Sequence, residues 1–253
     1  SKSAMVEDSI PLKNVLLDMN GHNDTYVKSS DLSNNNTNSL LDSITTNVTS
    51  DAKQWAVSPN GNFVIIGNKL YDPMYASGSS GKVRVFRYDS GTSSWIEVEN
   101  TTGVPLVGAD GDFLGASVDI NDYGNFVVGS TGADGDNSTP GSGHVNVFTY
   151  DLNTGKYSKY GNTINGQTAN DNFGSKVALT NVEFQHQLRV AVLKIPVNSG
   201  SSPRSVKVFS MDMMMNTWTQ FGTEFTSLTS FTLGNELNTN NVFFVKENAV
   251  GNG

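Results

Sequence analysis

Cysteine is absent from this 253-residue sequence, which excludes disulfides and thiolate-based metal binding or catalysis. Basic residues are also few, because 16 Lys and Arg stand against 24 Asp and Glu, for a formal net charge of −8. A chain without a basic cluster lacks the positive surface that nucleic acids and anionic membranes require, so we expect neither as a partner. No window of about eighteen apolar residues occurs, so no segment is expected to insert into a bilayer.

The residue patterns of common catalytic sites are missing as well. Only three histidines are present, at His22, His144 and His186, and none has a partner at metal-ligand spacing. The sequence contains no nucleophile elbow, no phosphate-binding glycine loop and no dinucleotide fingerprint. These absences predict a protein that is not an enzyme and carries no cofactor. A hydrolase that uses loop carboxylates is the remaining enzymatic alternative, because sequence does not show whether two carboxylates meet in space.

The sequence does contain an internal repeat of about sixty residues. Phe86, Phe148 and Phe209 are separated by 62 and 61 residues, and the aromatic residues Trp95, Tyr157 and Trp218 keep the same two intervals. Each unit holds four short segments with β-strand patterns, separated by turns rich in Gly, Asp and Asn. No segment has a sustained helical period. The pattern predicts an all-β fold.

A four-stranded antiparallel unit repeated at a fixed interval is typical of β-propeller blades, because one small sheet buries its faces only against a neighbouring sheet. We therefore predict an all-β propeller of about four repeats, in which the ring is incomplete or the chain is a fragment of a longer one. Residues 1–50 form an N-terminal extension that is a candidate for supplying strands to the last blade. The repeats span residues 51–253, divided at about 51–105, 106–165, 166–225 and a partial unit at 226–253.

The second unit resembles the FG-GAP repeat, which is named for a Phe-Gly and a Gly-Ala-Pro element. The resemblance is carried by residues 111–118, 126–130 and 141–148, and the third unit keeps the opening at Phe173-Gly174. A fourth opening is present at residues 231–234, so the resemblance covers residues 55–245. It departs from the family at the second element, which is only Gly129-Ser130 here and is replaced by Leu193 in the third unit. The resemblance implies an integrin α-like propeller and an extracellular, adhesive setting.

The family's calcium sites are loops of the form Asp-x-Asn-x-Asp-Gly-x-x-Asp between the first two strands of a blade. The matching stretch keeps Asp119 and Asn121, but Tyr123 and Val127 occupy two positions that should donate oxygen. Because calcium takes about six to eight oxygen ligands, an ordinary hairpin turn is favoured here, with calcium as the alternative. The same choice applies to two Asp-Gly-Asp clusters, which contain Asp110 and Asp112, and Asp134 and Asp136.

Five Asn-x-Thr acceptor sites for glycosylation favour a secreted or cell-surface glycoprotein. They are Asn23, Asn35, Asn47, Asn100 and Asn137. The leading functional hypothesis is a non-enzymatic structural or adhesive module that binds protein or glycan through the loops of one propeller face. The alternative is a self-assembling subunit of a fibre or surface layer, because unpaired strand edges invite pairing with another chain.

Overall fold

The computed structural model describes residues 53–72, 79–132, 139–182, 184, 188–197 and 203–226, and the backbone of Phe231–Gly234 and Phe244–Glu247. In this part of the chain all regular structure is β-strand, and the strands pair antiparallel within their sheets. The predicted all-β class is therefore confirmed. None of the described residues forms a helix that could span a membrane.

Three sheets of five strands follow one another along the chain. Sheet 1 contains β1 (Lys53–Val57), β2 (Phe63–Asn68), β3 (Lys82–Asp89), β4 (Ser94–Glu97) and β5 (Leu106–Val107). The first four strands pair in chain order, and the two-residue β5 pairs with the start of β3 beyond the end of β4. β2 is almost completely buried, which explains its uninterrupted apolar sequence, whereas β4 ends on exposed residues at the outer edge.

Sheet 2 repeats this arrangement. It contains β6 (Leu114–Ile120), β7 (Phe126–Ser130), β8 (His144–Asp151), β9 (Lys156–Lys159) and β10 (Ile164–Asn165), with β9 and β10 both paired to β8. The fifth strand of each unit was not predicted from the sequence, because a two-residue pairing has too few positions to show a period.

Sheet 3 contains β11 (Phe173–Leu179), β12 (Arg189–Lys194), β13 (Ser205–Asp212), β14 (Thr217–Gln220) and β15 (Phe225–Thr226), with the same pairing. A further antiparallel pair follows, formed by β16 (Phe231–Gly234) and β17 (Phe244–Glu247). The Met-rich segment of residues 213–215 lies in the turn between β13 and β14, at the place of the equivalent hairpins in the first two sheets.

The three sheets are stacked face to face in chain order. β7, the second strand of sheet 2, shows why, since its side chains alternate between two buried faces. Phe126 and Val128 pack with sheet 1, in a cluster that includes Phe63 and Ile65. Val127 points to the opposite side and packs with sheet 3.

The outward faces of the stack are apolar too. Val64, Ile66 and Phe86 form a separate cluster on the face of sheet 1 that points away from sheet 2. Ala191, Leu193 and Val206 belong to the corresponding cluster on the far face of sheet 3. Both outward faces therefore have the composition of the internal interfaces.

Glycines set the distance between neighbouring sheets. A Cβ atom added to Gly67 of sheet 1 would lie 2.4 Å from the carbonyl oxygen of Gly115 in sheet 2. One repeat later, a Cβ on Gly129 would lie 2.2 Å from the carbonyl oxygen of Gly174 in sheet 3. Gly115 and Gly174 also have positive φ angles of 85° and 92°, a conformation that disfavours other residues. The two glycine elements of the repeat thus meet each other across each sheet interface.

Replacement of Gly129 by Ala should therefore separate sheets 2 and 3. We expect Gly129→Ala to lower the free energy of unfolding by about 3 kcal/mol, because the contact is with backbone that cannot rotate away. Gly91→Ala is the matched control, since its nearest heavy atom would be Asp89 Oδ1 at 3.6 Å, and it should change the free energy by less than about 0.5 kcal/mol. Denaturant unfolding measures both values, and equal effects would contradict the proposed role of Gly129.

Candidate functional site

The first strands of the three sheets enclose a polar cavity. β6 packs between β1 and β11, so one strand from each sheet faces the same space. The cavity has a volume of about 210 Å³ and is lined by Gln54, Ser117, Val118, Asp119, Lys176, Val177 and Ala178. Side chains from all three units converge around this one volume.

Strand register explains which side chains line this cavity. Gln54, Ser117 and Lys176 occupy one position of the repeat, since they pair with Gly67, Gly129 and Leu193 of the adjacent strands. This position is polar in every unit but differs in chemistry.

A second lining position behaves differently. Ala56, Asp119 and Ala178 are equivalent, because they pair with Ile65, Val127 and Ala191. Sheet 2 thus places one carboxylate where sheets 1 and 3 have alanine.

Lys176 and Gln54 meet across the cavity. Lys176 Nζ donates a hydrogen bond of 3.4 Å to Gln54 Oε1, although the two residues belong to the third and first sheets. The Lys176 side chain is exposed, so its ammonium group is available to a ligand that enters from solvent. Ser117 faces the wall instead, because its hydroxyl donates a 2.6 Å bond to the carbonyl oxygen of Gly174.

Asp119 provides the carboxylate of the cavity. Its Oδ1 accepts a 2.9 Å hydrogen bond from the backbone N–H of Ile120, and its Oδ2 accepts a 2.7 Å bond from the N–H of Leu179. Loss of solvation by burial outweighs these two bonds and raises the pKa of Asp119 from 3.8 to about 7. The group can therefore hold or release a proton near neutral pH.

The predicted acidic loop is a structured turn between β6 and β7. Asn121 is fully buried, and its Oδ1 accepts hydrogen bonds from the backbone N–H groups of Tyr123 and Asn125, both at 3.0 Å. Its Nδ2 donates to the carbonyl oxygens of Thr180 and Val182, which ties the turn to sheet 3. Both polar atoms of the Asn121 side chain are therefore used in hydrogen bonds that hold the turn and its contact with sheet 3.

The other calcium candidates are not brought into the cavity lining. Asp112 Oδ2 accepts a 2.7 Å hydrogen bond from the backbone N–H of Ala109, and Asp110 lies in the same turn. Asp134 and Asp136 lie outside the described residues. Within the described ranges, no three His, Asp or Glu side chains form a group able to hold a metal ion. Calcium binding at these six positions stays the untested alternative to ordinary turns.

Of the five predicted glycosylation sites, Asn100 alone lies among the described residues. Its side-chain Oδ1 accepts a 3.0 Å hydrogen bond from the backbone N–H of Thr102, and the side chain is partly exposed. Asn23, Asn35, Asn47 and Asn137 lie outside the described ranges.

A second groove, of about 300 Å³, lies at the outer edge of sheet 1. Three of its four charged side chains are in ion pairs, because Arg84 makes two hydrogen bonds to Glu97, at 2.9 and 2.6 Å, and Glu99 lies 3.4 Å from Lys156. The fourth, Lys82, lies over the ring of Tyr71 at 5.1 Å. Groups that satisfy one another are less available to a ligand, so the smaller cavity is the better candidate site.

Sequence reasoning identified Asp119 but missed two other polar residues of the lining, Gln54 and Lys176. The repeat itself carried a usable signal. Positions that align between the units but hold chemically different residues indicate the lining of a site. That signal becomes readable only when the register of the first strands is known.

Comparison with known proteins does not assign the chain to a family. The chain matches no known protein-family model and no curated protein. Among solved structures it is similar to the periplasmic gluconolactonase PpgL of Pseudomonas aeruginosa, with 12% sequence identity and a TM-score of 0.31. The similarity covers 74% of this chain and 61% of that one, so this chain spans less than two thirds of its length. The FG-GAP resemblance stays a prediction.

The missing motifs led to the prediction that the chain is not an enzyme, and this prediction is wrong. One solved structure to which the chain is similar is that of a gluconolactonase, which is an enzyme.

The raised pKa of Asp119 predicts a pH-dependent stability. Below pH 3.8 both the folded and the unfolded chain hold the Asp119 proton, whereas between 3.8 and about 7 only the folded chain holds it. The free energy of unfolding should therefore fall as the pH rises through this window, by up to about 4 kcal/mol, and then level off.

Asp119→Asn isolates this contribution, because it removes the titrating group and leaves all other carboxylates in place. Denaturant titration from pH 4 to pH 8 measures the unfolding free energies of wild type and variant. The value for the wild type minus that for the variant should fall as the pH rises. A variant with an unchanged pH profile would show that another group is responsible.

Proposed function

We propose that the three stacked sheets are blades of a β-propeller and that the cavity between their first strands binds one sugar residue of a glycan. In a propeller the first strands line a central channel, and the adjacent first strands here are consistent with that geometry. In this proposal the ligand binds at the inner strands, whereas the sequence suggested binding through the loops.

The observation that carries this proposal is the convergence of Gln54, Asp119 and Lys176 from three separate strands on one cavity. A sugar hydroxyl both donates and accepts hydrogen bonds. An amide can do both as well, a carboxylate accepts, and an ammonium group donates, so the three groups together match adjacent hydroxyls.

The size of the cavity favours a small ligand. A volume of about 210 Å³ lies below the range of about 300–1,000 Å³ typical of sites for drug-sized molecules. Its lining is mainly polar, with Val118 and Val177 supplying a smaller apolar part. A single terminal sugar fits this combination better than a peptide.

The proposed setting is the cell surface or the extracellular space, where glycans are abundant. The five acceptor sequons support it. In that setting the chain acts as a structural or adhesive module.

A second candidate function is hydrolysis of the bound ligand, and one observation favours it. Asp119 combines a place in the cavity with a pKa of about 7, which suits a general base. A glycosidase requires two carboxylates, and Asp119 is the one carboxylate in the described lining. Binding is therefore proposed first.

Substitution of Lys176 should test the binding proposal without disturbing the fold, because this side chain is exposed. We expect Lys176→Ala to weaken binding of a recognised monosaccharide about tenfold, the effect of one lost hydrogen bond from a charged donor. A glycan array would find the ligand, and isothermal titration calorimetry would measure the two affinities.

Lys156→Ala is the matched control, since Lys156 is also exposed but lies at the outer edge of sheet 2. Its affinity should equal that of the wild type. NMR spectra of the incubated ligand would reveal any turnover. Absence of glycan binding by the wild type, or equal losses in the two variants, would overturn the proposal.

A further inference from the structure

The polar side chains of the cavity offer a ligand more hydrogen-bond donors than acceptors. Lys176 gives one of its three N–H groups to Gln54 Oε1, so two remain for a ligand. The Gln54 Nε2 group adds two further donors, because the bond to Lys176 uses only the oxygen of that amide. Two strands from different sheets, β1 and β11, therefore supply N–H groups to one volume of about 210 Å³.

The acceptor oxygens of the lining side chains are largely engaged within the protein. Each carboxyl oxygen of Asp119 accepts a hydrogen bond from a backbone N–H group. Gln54 Oε1 accepts the bond from Lys176. Ser117 is 3% exposed, and its hydroxyl donates to the carbonyl oxygen of Gly174 in the wall. A ligand hydroxyl would therefore find few free acceptors for its own proton among the described side chains of the lining.

Lys176 is also a cation without a carboxylate partner. Among the described residues no Asp or Glu forms an ion pair with it, whereas Lys156 and Lys207 are paired with glutamates. Its bond to Gln54 is 3.4 Å long, beyond the range of about 2.7–3.2 Å that is usual for N–H···O bonds, so an incoming acceptor can replace it at little cost. Asp119 lines the same cavity, but burial raises its pKa to about 7 and favours its neutral form below that pH. Under those conditions Lys176 provides the charge of the described lining.

A carboxylate suits such a site better than a sugar hydroxyl does. A hydroxyl must also give its own proton to an acceptor, whereas a carboxylate only accepts and has about four lone-pair positions. A hydrogen bond from an ammonium group to a carboxylate is also roughly twice as strong as one between neutral groups. We propose that the sugar bound in this cavity is a uronic acid, whose carboxylate accepts hydrogen bonds from Lys176 and Gln54.

This inference rests on the proposed function, because it names the class of sugar that the same cavity takes. It goes beyond that function by predicting selectivity for charge. The whole chain has a net charge of −8, which by itself disfavours an anionic ligand. A preference for the acidic sugar would therefore have to come from groups in the cavity, where Lys176 is the cation.

Isothermal titration calorimetry at pH 6 tests this selectivity on the wild-type protein. The probes are the methyl glycosides of glucuronic and galacturonic acid, each compared with the glucose or galactose glycoside that carries a hydroxymethyl group in place of the carboxylate. We expect at least one acid to bind about tenfold more tightly than its neutral counterpart. Neutral sugars that bind equally well or better would overturn this inference and leave the proposed function standing, whereas a protein that binds no sugar would overturn both.

Lys176→Gln identifies the group responsible, because it removes the charge and keeps an N–H donor. It should abolish the preference, lowering the affinity for the acid about tenfold and changing the affinity for the neutral sugar less than about twofold. Lys176→Arg should keep the preference, and Lys156→Gln, a change at an exposed lysine outside the cavity, should leave both affinities unchanged. Near-ultraviolet circular dichroism would confirm that the variants are folded. Equal losses for the acid and the neutral sugar in Lys176→Gln, or a preference that survives this substitution, would overturn the proposal.

Discussion

Direct contact between glycines of neighbouring sheets is the constraint on which the stack depends. Gly67 meets Gly115, and Gly129 meets Gly174, at distances that leave no room for a methyl group. Because backbones approach this closely, the first strand of each sheet lies against the second strand of the sheet before it, and the apolar side chains on either side interdigitate in continuous clusters. The contact also orients the first strands toward one another, since β6 is held between β1 and β11. Without it the cavity would have no defined walls.

The candidate site follows from this arrangement and from one exception to the repeat. Sheets 1 and 3 place Ala56 and Ala178 at a lining position where sheet 2 has Asp119. The carboxylate is accepted there because two backbone N–H groups bind it, one from its own strand and one from β11. Burial nevertheless favours the neutral form and brings the pKa to about 7. A carboxyl group that titrates near neutral pH therefore lies at a junction of sheets, in the same cavity lining as the exposed Lys176.

Much of the fold could be predicted from the sequence, because Phe86, Phe148 and Phe209 keep a regular interval and mark equivalent third strands. The glycine elements were visible as a family-like pattern, although their mutual contact was not. The site was only half visible. Asp119 stood out as an acid in an acidic loop, whereas the structure turns its side chain toward backbone N–H groups of β6 and β11. Gln54 and Lys176 carry no motif, and they meet only because β1 and β11 flank the same strand from opposite sides. A relation between residues 122 positions apart depends on sheet stacking, which local patterns do not encode.

Positions that keep the same residue type in every repeat and positions that vary are therefore under different physical constraints. Positions that meet another backbone are restricted to glycine, and positions inside a sheet interface are restricted to apolar residues of matching volume. Lining positions such as Gln54 and Lys176 face the cavity instead, so they can vary while the stack is preserved. The proposed ligand, held by groups from all three sheets, would bind only the stacked form and would stabilise that form by mass action. The protonation of Asp119 would then affect both binding and stacking, because the same carboxylate accepts a hydrogen bond from β11 and lines the cavity.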